Sequence, residues 1–191
     1  MILKQIAAPA VEPVSLAEAK LHLRVDIADD DAYIEALIAA AREYFEGATG
    51  RALITQEWRL SLPGFPCGSE IELPRAPLQT VDHFAYTDSD GTVTHVDATT
   101  YAADTDSEPG RIVLKYGEYW PANTLATLNP VQVEYTAGYG DAATDVPAHM
   151  RQAIKLLVAH WYENREPVTA GEVARAVPFA LQSLIYLYRI Y

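Results

Sequence analysis

Apolar side chains recur at helical spacing through two stretches near the ends of the chain and alternate with polar ones between them. From Asp31 onward Tyr33, Ile34, Leu37, Ile38, Ala41, Tyr44 and Phe45 form one stripe, as in a helix with one buried face. The run Asp29-Asp30-Asp31 supplies capping acids at its start, and Gly47 or Gly50 offers the left-handed stop. A shorter helix precedes it. Ser15-Leu16-Ala17-Glu18 has the spacing of a capping box, and Leu16, Ala19 and Leu23 follow at i, i+3 and i+7. Near the other end Asp145-Val146-Pro147 opens a third helix, with Met150, Ile154, Leu157, Val158 and Trp161 on its apolar face and an end near Asn164. A fourth runs from Pro178 and carries Phe179, Leu181, Leu184, Ile185, Leu187, Tyr188, Ile190 and Tyr191, apolar nearly all round.

From Ala52 the period changes to two. Ile54, Trp58, Leu60 and Leu62 alternate with Thr55, Glu57, Arg59 and Ser61, the pattern of a half-buried strand. Further strands are expected at Glu70 to Leu73, Val81 to Tyr86, Thr92 to Val96, Arg111 to Leu114 and Val131 to Thr136. Turn chemistry separates them, at Asp88-Ser89-Asp90-Gly91, Glu108-Pro109-Gly110 and Asn129-Pro130. The expected fold is α+β: terminal helices packed into a small bundle, with an inserted antiparallel β unit. Residues 1–191 then form a single composite domain, with helices in 15–50 and 145–191 packed together and the β insertion at about 52–140. Neither helical end can bury its own stripe alone. Residues 168–177 have no clear pattern.

Charge narrows the partners. Twenty-six acidic against 14 basic residues give a formal charge of -12 over 191 residues, which disfavours sequence-independent grip on nucleic acid and binding to an anionic membrane. No apolar run approaches a membrane span. The N-terminus lacks a signal-peptide pattern, so the expectation is a chain starting near Met1 and folding in a reducing cytoplasm. The single cysteine, Cys67, allows no intrachain disulfide and reads as a loop residue.

Candidate chemistry is sparse. The aspartate run reads as helix capping and Asp88-Ser89-Asp90-Gly91 as a hairpin turn, since neither has the ligand pattern of a calcium loop. His149 and His160 share a helix about 16 Å apart by helical rise, too far for one metal. His83 and His95 face each other across an expected hairpin without a third ligand. Nucleophile elbow, phosphate loop and dinucleotide turn are all missing, and a pair such as Glu118 with Glu134 is unremarkable in so acidic a chain. The expectation is no catalytic residue, metal or cofactor, and no enzymatic activity. The 12 tyrosines suit protein contacts instead. The final helix is too apolar for one small core, so Phe179, Leu181, Leu184, Tyr188 and Tyr191 are the candidate interface with a neighbouring subunit or other protein.

Several segments in order resemble one known family. These are Pro13-Val14-Ser15-Leu16-Ala17-Glu18-Ala19-Lys20 with Leu21-His22-Leu23-Arg24-Val25-Asp26, then Ala40-Ala41-Arg42-Glu43-Tyr44 with Thr49-Gly50-Arg51-Ala52-Leu53, and Leu73-Pro74-Arg75-Ala76-Pro77-Leu78. Val133-Glu134-Tyr135-Thr136-Ala137-Gly138-Tyr139-Gly140 and Ala159-His160-Trp161-Tyr162-Glu163-Asn164-Arg165-Glu166 complete the set. Together they resemble the head-tail connector, or neck adaptor, family of tailed bacteriophages and prophages, over about Pro13 to Tyr188. The resemblance implies a non-catalytic protein of the virion neck, made in the bacterial cytoplasm. It implies a homo-oligomeric ring, typically dodecameric, contacting the portal protein and a tail-side neck or tail-completion protein, with DNA only passing through the lumen. Rival readings are a tail-completion or tail-terminator subunit, a β-type ligand-binding module and an unrecognised hydrolase.

Overall fold

A computed structural model describes residues 1–165 and 179–190, excepting the side chains of Phe179 and Ala180. The expectation about residues 168–177 lies outside these. The chain divides into two compact units, one of Met1–Pro9 with Thr55–Tyr139 and one of Ala10–Ile54 with Gly140–Tyr191. Among the described residues, eight strands and four α-helices make the fold α+β.

The second unit is helical. α1 (Leu16–Leu23) begins with the expected capping box: Ser15 Oγ accepts from the Glu18 amide, and Glu18 Oε2 accepts from the Ser15 amide. α2 (Asp31–Thr49) ends at Gly50, whose φ of 75° is the left-handed conformation glycine tolerates best. Its buried positions Ile34, Ile38, Ala41, Phe45 and Thr49 continue one stripe, which packs against α3 (Ala148–Glu163). α3 buries Met150, Ala153, Ile154, Leu157 and Val158, while Trp161, expected inside, is only half-buried and meets Tyr44 edge-on at 5.9 Å. α4 (Phe179–Tyr188) packs against α2 and α3.

Two expected caps are placed differently. Asp30 sits at the N-cap of α2 but its side chain makes no capping bond. Its carboxylate instead accepts from the Tyr162 hydroxyl at 2.5 Å and from Arg165 at 3.1 Å, tying the start of α2 to the end of α3. Asp31 pairs with Lys20 of α1. The acidic run thus joins three helices, because charged and hydroxyl partners on neighbouring helices compete with backbone amides for the same oxygens. Asp145 likewise serves a preceding 3-10 turn (Ala143–Asp145), accepting from the Ala142 amide, and Pro147 occupies the N-cap of α3.

The other unit is two antiparallel sheets. One has the order β1-β2-β8-β4-β5, built from β1 (Ile2–Ala7), β2 (Gln56–Leu62), β8 (Val131–Ala137), β4 (Leu78–Thr87) and β5 (Val93–His95). The smaller has the order β3-β7-β6, from β3 (Glu70–Leu73), β7 (Gly110–Leu114) and β6 (Tyr101–Asp104). The sequence reading had no strand before Ile54 and none at Tyr101. β1 extends the β unit beyond 52–140 by pairing along β2 from Ile2↔Ser61 to Ala7↔Glu57. Leu60, Ile71, Leu73, Phe84, Ile112, Val133 and Tyr135 are buried in this unit. At Gly110 the sheets approach so closely that a Cβ would stand 2.4 Å from that of Leu78.

The β6–β7 hairpin holds an ionic knot. Hydrogen bonds from Ser107 first, then from Arg111, draw the Asp104 carboxyl down to about 2. A depressed carboxylate favours the folded state above its unfolded pKa, and that contribution disappears as pH falls through the folded value. Carbon-detected NMR should therefore find Asp104 titrating near 2, and Ser107→Ala should move its midpoint upward towards the unperturbed carboxylate range.

Candidate assembly surfaces

α4 is held at both ends of its described length. Leu181 is 0% exposed. At the other end Arg51 Nε donates to the Tyr188 carbonyl at 2.7 Å, and the Ile190 amide donates to the Thr49 carbonyl at 2.9 Å. The Tyr188 ring stacks on His149, with centroids 4.5 Å apart and planes 9° from parallel. Arg51 and Thr49 lie just after and at the end of α2, so the glycine stop that ends that helix also sets where α4 finishes. Gly50 is favoured there by its left-handed φ rather than by crowding, since a Cβ would lie 3.7 Å from Ile190 Cβ, an ordinary contact.

This anchoring sorts the residues that the sequence nominated. Leu181 is inside the helical unit, and Leu184 and Tyr188 are half-buried. The Phe179 side chain and Tyr191 lie outside the described residues. The apolar side chains that α4 turns outward are Tyr186, 65% exposed, and Leu187, 69% exposed. Helical geometry separates the sets. Leu181, Leu184, Ile185 and Tyr188 follow i, i+3, i+4 and i+7, whereas Tyr186 and Leu187 fall on the opposite arc.

Two grooves border the bundle. One of about 390 Å³ runs beside α4 and is lined by Tyr44, Gly47, Ala48, Gln182, Ile185, Tyr186 and Arg189. Glycine and alanine on α2 keep it open. The other, about 370 Å³, is lined by Val11, Glu12, Val14, Ser15, Leu16, Glu35 and Ile38.

Beneath the second groove lies a buried ionic network. Arg42, 6% exposed, donates through Nε to Glu12 at 2.8 Å and through Nη1 to Glu46 at 3.0 Å. Burial opposes its charge, but Glu12 and Glu46 more than offset that and hold its pKa above the ordinary value. Glu46 also accepts from the Leu53 amide at 2.8 Å. At the other end of α3, Arg165 lies over the rings of Tyr33 and Tyr162, at 4.6 and 4.9 Å from their centroids. The Tyr162 hydrogen bond, aided by Arg165, lowers the Asp30 carboxyl below its usual range.

The remaining chemical candidates do not converge. His83 and His95 do meet, with ring centroids 6.0 Å apart, but no cluster of three or more His, Cys, Asp or Glu that could hold a metal occurs among the described residues. Glu134 pairs with Arg59 on the neighbouring strand rather than with Glu118. Asp88-Ser89-Asp90-Gly91 forms the β4–β5 turn, where Asp88 Oδ1 accepts from the amides of Asp90 and Thr92. Cys67 is free and exposed. No helix among the described residues is long and apolar enough to cross a membrane.

The outward-facing apolar side chains of α4 mark the helical unit as a surface suited to assembly. The sequence model for head completion proteins matches residues 13–189, and the chain belongs to that family. Its work is structural, joining head to tail in the neck of a phage-like particle. Among solved structures it is similar to a chain of the neck of an empty gene transfer agent particle computed with C6 symmetry, at 32% identity and a TM-score of 0.83. It is also similar to chains of the native particle's virion, at 30% identity and 0.82, and of the native neck computed with C12 symmetry, at 32% and 0.77. Each similarity covers 100% of this chain and 96% of the other. No curated protein sequence matches it.

Proposed function

We propose that identical copies of this chain close into a ring between the portal and the tail-side neck proteins, and that DNA passes through the lumen without adhering to it. The observation that carries this reading is similarity, along the whole chain, to a chain of a neck computed with C12 symmetry. Closure suits a protein whose apolar side chains face outward on one element, because every copy then buries the patch its neighbour exposes. The role requires no catalysis, and the surfaces do the work.

Acidity suits the passage of DNA. Each chain carries a formal charge of -12, so twelve copies would carry roughly -140, a field that repels a polyanion. The purified protein should show no binding to duplex DNA at about 150 mM salt, measured by fluorescence anisotropy. Measurable affinity there would remove the sleeve reading. Particles made without the protein should accumulate as filled heads and free tails in negative-stain images. Tails of abnormal length would instead favour the terminator reading.

A further inference from the structure

The helical unit presents two unlike surfaces on opposite sides of α2. At about 100° per residue, Glu35 and Ile38 lie near one another around the helix, and Tyr44 lies about 180° round from Glu35. The groove formed with Val11, Val14 and Leu16 opens on the first side. On the second side Tyr44, Gly47 and Ala48 face Ile185, Tyr186 and Arg189 of the α4 region. A ring made from one kind of contact needs this disposition, in which a patch on one face meets a different patch on the opposite face of the next copy. A single self-complementary patch would close at two copies.

Charge selects the pairing. Glu12, in the first groove, is already neutralised by Arg42. Glu35 is exposed and makes no ion pair among the described residues. It is an acid at the rim of an apolar floor that includes Ile38, which is 2% exposed. α4 offers the complement: two exposed apolar side chains, Tyr186 and Leu187, followed by exposed Arg189. The anchors at Leu181 and Tyr188 fix how that end is presented.

The geometry points to a second copy of this chain as the occupant of the groove: Tyr186 and Leu187 of one copy seat against Val11, Leu16 and Ile38 of the next, and Arg189 pairs with Glu35. This rests on the ring reading above. It assigns the outward residues of α4 to the neighbouring subunit rather than to the portal.

The test uses the full chain in assembled particles. In a Cys67→Ser background, Ala32→Cys lies one turn before Glu35 and Ser183→Cys one turn before Leu187; both positions are exposed, and both leave the proposed contacts intact. A short bismaleimide should yield a ladder of covalent oligomers only when both cysteines are present. Separately, Glu35→Arg and Arg189→Glu should each reduce joined particles about tenfold or more, and the two together should recover to within about threefold of the unmodified level. The pairing is overturned if symmetric necks containing the protein give no ladder, if Ser183→Cys cross-links to another particle protein, or if the two reversals merely add. Necks that image without several copies of the chain would overturn the ring reading and the pairing with it, and density distinguishes that failure from the others.

Discussion

Replacing Tyr186 and Leu187 together by serine should leave the subunit folded and reduce head-tail joining by at least about a hundredfold. At 65% and 69% exposure these two side chains contribute little to the subunit's own core, and surface changes of this kind usually alter stability by under about 0.5 kcal/mol. Residues at the centre of a protein contact behave otherwise: losing a hot-spot aromatic or its apolar neighbour costs about 2 kcal/mol or more per contact, and a ring repeats the loss at every interface. The informative comparison is Leu181→Ala. That residue is fully buried, so its truncation should lower stability by about 2–5 kcal/mol while leaving the outward face of α4 intact. Circular dichroism melts and counts of joined particles separate the two. If the double serine variant melts normally and joins heads to tails as well as the unmodified protein, α4 is not an assembly surface.

The contrast also shows what the pattern of apolar residues along α4 can distinguish. An apolar circumference correctly signals a helix with more apolar surface than one core can hold. Choosing Leu181, Leu184 and Tyr188 as the surface, however, selects the residues at i, i+3 and i+7, the spacing that faces inward whenever a helix packs on a bundle. The leftover arc is the one that projects, and Tyr186 and Leu187 occupy it. Periodicity therefore separates an inward arc from an outward one, but only after asking which arc the subunit itself consumes.

Elsewhere local signals were sufficient where chemistry is local. The capping box at Ser15 and the Asp88 turn each depend on residues within four positions of one another, and both form as their spacing predicts. β1 was illegible because Ile2–Ala7 has no clean alternation: Lys4 and Gln5 are adjacent polar residues, and the strand exists through pairing with a segment distant in sequence, from Ile2↔Ser61 to Ala7↔Glu57. Asp30 failed as a side-chain cap for a similar reason, since its partners Tyr162 and Arg165 are distant in sequence. Arg42 and Glu46 were legible only as neighbours at i and i+4, a spacing common on solvated faces. Their burial depends on tertiary packing.

That buried pair sets up the second large effect. Arg42→Met should destabilise the protein by about 3–5 kcal/mol, because it removes a buried cation that Glu12 and Glu46, the latter 5% exposed, both pair with. In a chain of this size that corresponds to a fall in melting temperature of several degrees to roughly 20 °C. The usual remedy, an apolar replacement of the whole cluster, is closed here. Glu46 also accepts the Leu53 amide, and an apolar residue at 46 would strand that donor in the interior. Glu46→Gln retains a carbonyl oxygen for Leu53 and removes the charge. Adding it to Arg42→Met should recover about 1–3 kcal/mol in urea unfolding, whereas adding Glu46→Met should recover less. The order of the three stabilities distinguishes an ion pair kept for its own Coulombic attraction from one that positions a carboxylate to hold the chain after α2. If both double variants prove equally stable, the Leu53 hydrogen bond has no such role.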